Sequence, residues 1–231
     1  MTRRTAYLTI DDGPSAHMPE KMDYLVSKGV PALWFCPGSS IEKRPEQARK
    51  AIEKGFLVGN HSYDHPRFSD LDTADGVEQI RRTDTILEGL HARSGVASFR
   101  RYFRFPYGDK GTRSKAALQA LLRQLGYLPA PSAGITYSLY RSQGLDMDVD
   151  WYWTYDVMDW SIHSNEPRQG IDSIEKVLAR MDEDEPENWK GLNSGDSAEI
   201  ILLHDHEDTS MYFKRIIDHL LGKGFSFQLP R

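Results

Sequence analysis

The chain has a single cysteine, Cys36, among its 231 residues. That excludes an intramolecular disulfide and any thiolate cluster for a metal. Cys36 ends the apolar run Ala32-Leu33-Trp34-Phe35-Cys36, where it reads as a small buried side chain. No apolar stretch approaches the ~20 residues that a membrane span needs. A formal net charge of -5 provides no positive excess to attract nucleic acid or an anionic membrane surface. The N-terminus, Met1-Thr2-Arg3-Arg4, enters the first apolar segment without the hydrophobic core of a signal peptide. The expected location is therefore cytoplasmic, or outside the cell if an export signal lies beyond this sequence. Repeats and low-complexity tracts are absent. The remaining composition, 39% hydrophobic and 27% charged, suits one ordinary globular domain over residues 1–231.

Short apolar runs alternate with helical stretches, and glycine or proline marks the joints. Strands are predicted near 6–10, 31–36, 56–59, 99–104, 126–129, 151–157, 199–203 and 225–228. Helices are predicted near 18–28, 45–54, 72–93, 113–125, 170–182 and 209–222. Asp72 suits an N-cap, and Gly29, Gly55, Gly126 and Gly224 suit helix stops. The alternation predicts an α/β fold with a mainly parallel sheet. Residues 129–150 and 183–198 fall outside it and read as surface excursions.

Asp11-Asp12-Gly13-Pro14 follows the strand-like run Tyr7-Leu8-Thr9-Ile10. Adjacent carboxylates push one another's pKa values apart, so a fold that keeps them together gives them different tasks. A solvated turn is the plainer alternative. In His61-Ser62-Tyr63-Asp64-His65-Pro66, a helical turn or a tight loop brings both imidazoles within reach of one cation. With Asp12 they make an Asp-His-His set that leaves positions open for water and substrate, as in a catalytic metal site. Further candidate segments are Arg104-Phe105-Pro106-Tyr107-Gly108, Asp156-Val157-Met158-Asp159-Trp160 and Leu202-Leu203-His204-Asp205. All of these cluster at strand ends, where barrel-type α/β enzymes carry their chemistry.

In the same order, these segments resemble the TFDDGP, H-[ST]-x-x-H-P, R-x-P-Y, D-x-x-D-W and L-x-H-D motifs of the NodB-type polysaccharide deacetylases, carbohydrate esterase family 4. The resemblance runs from residue 9 to residue 205. It implies a distorted (β/α)7 barrel and a metal-dependent hydrolase that removes acetyl groups from N-acetylated sugars, chitin-like or peptidoglycan-like. By position, it implies Asp12, His61 and His65 as metal ligands, with zinc the best fit and cobalt or nickel also suited. Asp11 becomes the catalytic base, steadied by Arg104. His204 becomes the acid, tuned by Asp159, and the backbone N–H of Tyr107 joins the oxyanion hole. Trp160 and Leu202 line a small pocket for the acetyl methyl group.

Ile10 departs conservatively from the usual aromatic of the first motif, and Phe105 fills the variable place of the third. His206 invites a reading as a fourth ligand but fits a surface or supporting position better. Tyr137, Tyr140 and Trp151 are candidates for stacking on sugar rings. If residues 129–150 folded over the active-site face, they would narrow a polymer groove and favour a small substrate. Two other functions stay open: an amidohydrolase acting on a small non-sugar amide or ureide, and a catalytically silent sugar-binding module. The expected partner is an N-acetylated glycan or related amide.

Overall fold

The computed structural model describes residues 4–97, 99–186, 191–193, 195 and 197–230. The strands and helices, in chain order, are β1 (Arg4–Asp11), α1 (Met18–Lys28), β2 (Ala32–Cys36), α2 (Gly38–Lys43), α3 (Pro45–Glu53), β3 (Leu57–Asn60), α4 (Thr73–Ser94), α5 (Lys115–Gln124), α6 (Ser138–Ser142), β4 (Tyr155–Asp156), α7 (Ile174–Met181), β5 (Glu199–His204), α8 (Phe213–Gly222) and β6 (Phe225–Phe227). All pairings are parallel, in the order β3-β2-β1-β5-β4, with β6 on the first residues of β1. Among the described residues no helix is long and apolar enough to cross a membrane.

Strand alternation divides the core in two. Leu8, Ile10, Trp34, Val58, Ile201 and Leu203 pack outward against α1, α7 and α8. Leu33, Phe35 and Ile200 face inward, with Tyr102 and Trp151. Single hydrogen bonds carry the sheet round towards a ring. Arg104 N–H donates to Asn60 O (3.1 Å), Trp151 N–H to Phe103 O (2.8 Å) and Thr154 N–H to Ile200 O (2.9 Å). The predicted strand at 99–104 is thus only bridged to β3 and to Tyr127, and the run 151–157 pairs as a strand only at β4. This is the distorted barrel that the motifs implied, with its far wall held by isolated bonds. Gly59 sits where Phe35 and the Tyr102 carbonyl close in: a Cβ there would lie 2.9 Å from each, so only glycine fits.

The helix signals held. Asp72 accepts the Asp75 N–H as N-cap of α4, and Gly29 ends α1 at φ 64. The last two helices begin later than predicted, α7 after the positive-φ pair Gln169 and Gly170, α8 after a 3-10 turn at Ser210–Tyr212.

Residues 129–150 do not form the cap that the sequence left open. Gly134 O accepts the Ala198 N–H (2.8 Å) and Ser197 Oγ accepts the Thr136 N–H (3.2 Å), both at the entrance to β5. Tyr137 donates its hydroxyl to Glu199, the first residue of that strand. The segment therefore plugs the N-terminal end of the barrel. Tyr137, Tyr140 and Trp151 are 3%, 1% and 0% exposed and belong to the inner core, so they are not sugar platforms. Of the other excursion, 183–198, residues 187–190, 194 and 196 lie outside the described residues.

Candidate active site

At the opposite, C-terminal end of the strands lies a cavity of about 510 Å³. Register puts the two central groups side by side: Asp11, the last residue of β1, pairs with His204, the last of β5. Inward alternation aims both side chains at the cavity, which Asp11, Asp12, His61, His65 and His204 all line.

Asp12 has turned out of the strand at φ 69, its N–H bonded to Phe35 O (3.0 Å). After β3, Asn60 Oδ1 accepts the Ser62 N–H and Ser62 Oγ accepts the His65 N–H. With Ser62 and His65 also at positive φ, this tight loop, not a helix, brings the imidazoles together, ring centroids 4.9 Å apart. One donor atom each from Asp12, His61 and His65 lies within 4.8 Å of the others.

These residues fit a cation on three counts. Asp12 Oδ1 is buried without a hydrogen-bond partner, 3.2 Å from His65 Nε2 and 3.7 Å from His61 Nε2. His61 Nδ1 donates to the Arg104 carbonyl (2.8 Å), which leaves Nε2 as the free lone pair on the site side. Burial, followed by repulsion from His61, lowers the His65 pKa to about 4, so that ring is neutral and able to ligate at pH 7. Burial raises the Asp12 pKa, but the His206 hydrogen bond and the charges of His61, His204 and His65 outweigh it. The carboxylate ends well below its ordinary range.

Arg104 is fully buried. Its Nη1 donates to Asp11 Oδ1 and to Thr9 Oγ1 (both 2.8 Å), and its Nε to Trp151 O (3.0 Å). Asp11 Oδ2 faces His61 Nε2 at 3.5 Å. His204 Nδ1 bonds Asp159 Oδ1 (3.0 Å), and the His204 N–H donates to Asp159 Oδ2 (3.1 Å). Burial opposes the charged imidazole, but the charge and hydrogen bond of Asp159 prevail, and the His204 pKa rises to about 10. Trp160 Nε1 donates to Asp156 Oδ2 (3.2 Å), and burial raises the Asp156 pKa. Leu202 and Trp160 also line the cavity. Tyr107 stands half-exposed at φ 57, its ring edge-on to His65 at 4.6 Å.

The cavity thus gathers the predicted ligands, base, acid, Tyr107, Trp160 and Leu202, with Arg104 and Asp159 directly behind. Sequence reasoning missed Arg67, Trp153 and Arg168 as lining residues, and marked Asp156 at its strand end without giving it a role. Trp153 was within reach: it shares strand parity with Trp151 but lies nearer the strand's C-terminal end. His206 takes the supporting place, bonding Asp12 rather than joining the donor triad.

Known proteins resemble the chain in sequence and in fold. Residues 1–129 match the sequence profile described as polysaccharide deacetylase. The chain is 26% identical over 232 residues to a peptidoglycan-N-acetylglucosamine deacetylase of Listeria monocytogenes, covering 98% of this chain but 38% of that protein. It is 29% identical over 225 residues to a chitin deacetylase of Colletotrichum lindemuthianum, covering 94% of this chain and 74% of the other. A family 4 carbohydrate esterase from Streptomyces lividans, solved with acetate, superposes with a TM-score of 0.66 at 24% identity, over 98% of this chain and 92% of that one. The chain belongs to the polysaccharide deacetylase family.

Proposed function

We propose that this chain is a metal-dependent hydrolase that removes the acetyl group from an N-acetylated sugar. One observation carries the reading: a carboxylate paired with a buried arginine and an imidazole held protonated by a buried aspartate face one cavity, beside an Asp-His-His donor set. The named activities of the Listeria and Colletotrichum relatives support it.

Asp12, His61 and His65 would hold a divalent cation, which when bound would supply Lewis acidity towards a water and the acyl oxygen. Zinc suits this N/O donor set, and cobalt and nickel share the preference. Asp11 accepts the proton of the attacking water at its Oδ2, the oxygen that Arg104 leaves free. The backbone N–H of Tyr107 donates to the developing oxyanion. His204 exposes Nε2 to the cavity because Nδ1 is engaged by Asp159, and it delivers a proton to the leaving amine. Trp160 and Leu202 enclose the acetyl methyl group and exclude longer acyl chains.

The silent-module alternative requires a lost base, ligand or acid, yet Asp11, Asp12, His61, His65 and His204 all line the cavity. The small-substrate alternative loses one support, the cap that residues 129–150 would have made, because that segment bonds at the entrance to β5. The test is acetate release from N-acetylglucosamine oligomers by chelator-stripped protein, with zinc or cobalt restored. Release that depends on added metal supports the reading. No release from metal-loaded protein, with ammonia or acetate released from small amides instead, overturns it.

A further inference from the structure

Two exposed arginines, Arg67 and Arg168, are among the residues that line the cavity, and the deacetylation reading leaves them without a task. We propose that they form an oxyanion-binding rim, so that the substrate is an N-acetylated amino sugar bearing a carboxylate or a phosphate near its acetamide. The sugar amide in this statement rests on the proposed function; the anion rests on the rim itself.

The argument begins with charge. Each carboxylate of the cavity is already engaged: Asp11 by Arg104, Asp12 by His206, and Asp156 by the Met158 N–H and Trp160. Neither Arg67 nor Arg168 forms an ion pair among the described residues. Asp109 is near enough to feel the charge of Arg67, which helps lower its pKa against the effect of burial. Its oxygens, however, are taken by the Ser69 N–H and hydroxyl and by the Gly111 N–H. Two arginines bordering one cavity make its mouth attractive to an anion.

Placement adds to this. The Arg67 guanidinium lies over the Tyr107 ring at 4.3 Å, and that ring meets His65 at 4.6 Å. A guanidinium over an aromatic ring still carries N–H donors that suit a planar carboxylate or a phosphate. Arg168 enters from the loop after β4, its backbone N–H held by Ser161 Oγ at 2.9 Å. Gln169 beside it sits at φ 54. Among the described residues, the other non-glycine positions with positive φ are Asp12, Ser62, His65, Tyr107 and Met158, each part of the site or next to it. Such strain gathers where a fold positions functional groups.

The test compares N-acetylglucosamine, N-acetylmuramic acid (a carboxylate on an ether arm) and N-acetylglucosamine 1-phosphate. Binding is measured by calorimetry on the metal-loaded protein, and acetate release gives kcat/KM for the same three. The wild type should favour one anionic probe over the neutral sugar by about tenfold or more, the low end for charge-assisted hydrogen bonds. Preference for the muramic acid identifies a carboxylate, and preference for the phosphate identifies a phosphoryl group. A phosphate also binds a cation directly, so the decisive reading is the R67Q/R168Q double variant, which keeps the cation ligands. There the ratio should fall about tenfold and lose its salt dependence. Equal binding of neutral and anionic probes by the wild type, or an unchanged ratio in the double variant, overturns the rim. If no probe releases acetate while calorimetry still shows arginine-dependent anion preference, the rim stands and the proposed reaction falls.

Discussion

His206 Nε2 donates to Asp12 Oδ2 at 2.8 Å, while Oδ1 of the same carboxylate turns, without a hydrogen bond, towards His61 and His65. One oxygen is thereby anchored and the other left open to a cation. Losing such a partner costs about 10–100-fold in metal affinity. H206A should weaken zinc binding by about that factor in a chelator competition while still binding one equivalent at saturation. H206Q, which restores an N–H donor, should recover part of the loss. Wild-type affinity in H206A would show that Asp12 needs no anchor.

Asp11 and Asp12 are neighbours with opposite assignments, and a substitution at each separates them. D11N keeps the shape of the side chain but removes the base, so turnover should fall by about 10²–10⁴-fold with metal content unchanged. H65A should lose metal instead. Metal analysis alongside acetate release distinguishes the two, and an active D11N would remove Asp11 from the mechanism.

Asp159 holds the His204 pKa up at about 10 against burial, which alone would lower it. The acid works only while protonated, so activity should fall as pH rises through the pKa of His204. D159N removes the raising charge. The basic limb of the pH–kcat profile should then move to lower pH by about 1–3 units. A cation beside Asp12 offsets one of the contributions that raise His204, so the wild-type limb should lie below 10 in the metal-loaded enzyme. A basic limb unmoved by D159N would dissociate it from His204.

The reactive residues were legible because each sits where strand alternation stops. Asp11, Asp156 and His204 close their strands, His61 follows immediately on β3, and Arg104 follows the isolated bridge at Phe103. The helix boundaries at Asp72 and Gly29 were equally plain, being set by local capping. Arg67 and Arg168 were not visible, since nothing local distinguishes a cavity arginine from a solvated one. The inner-core role of residues 129–150 was hidden for a related reason. Tyr137, Tyr140 and Leu145 bury themselves in the inner core without a helical or strand period to announce it.

Arg104 joins stability to catalysis. It pairs with Asp11 in a fully buried setting and also ties Thr9 and the Trp151 carbonyl into the barrel. R104M would leave the buried Asp11 carboxylate unpaired, at a cost of about 3–5 kcal/mol. For a chain of this size that corresponds to a drop on the order of 10 °C in Tm, read by calorimetry. The double substitution D11N/R104M removes the stranded charge and should recover part of the Tm while remaining inactive. Without any recovery, packing of the arginine stem would account for the loss.

The plug at the N-terminal end of the barrel separates folding from specificity. Tyr140 is almost wholly enclosed among Leu33, Phe35, Tyr102, Trp151 and their neighbours in the inner core, and no residue of 129–150 lines the cavity. Y140A should open a void and destabilise the fold by about 3–5 kcal/mol. Because the plug and the cavity occupy opposite ends of the strands, the dependence of kcat/KM on oligosaccharide length should stay as in the wild type below the melting transition. The comparison is a Tm measurement beside a length series of N-acetylglucosamine oligomers on Y140A. A changed length preference with an unchanged Tm would reverse the assignment and return the segment to the substrate face.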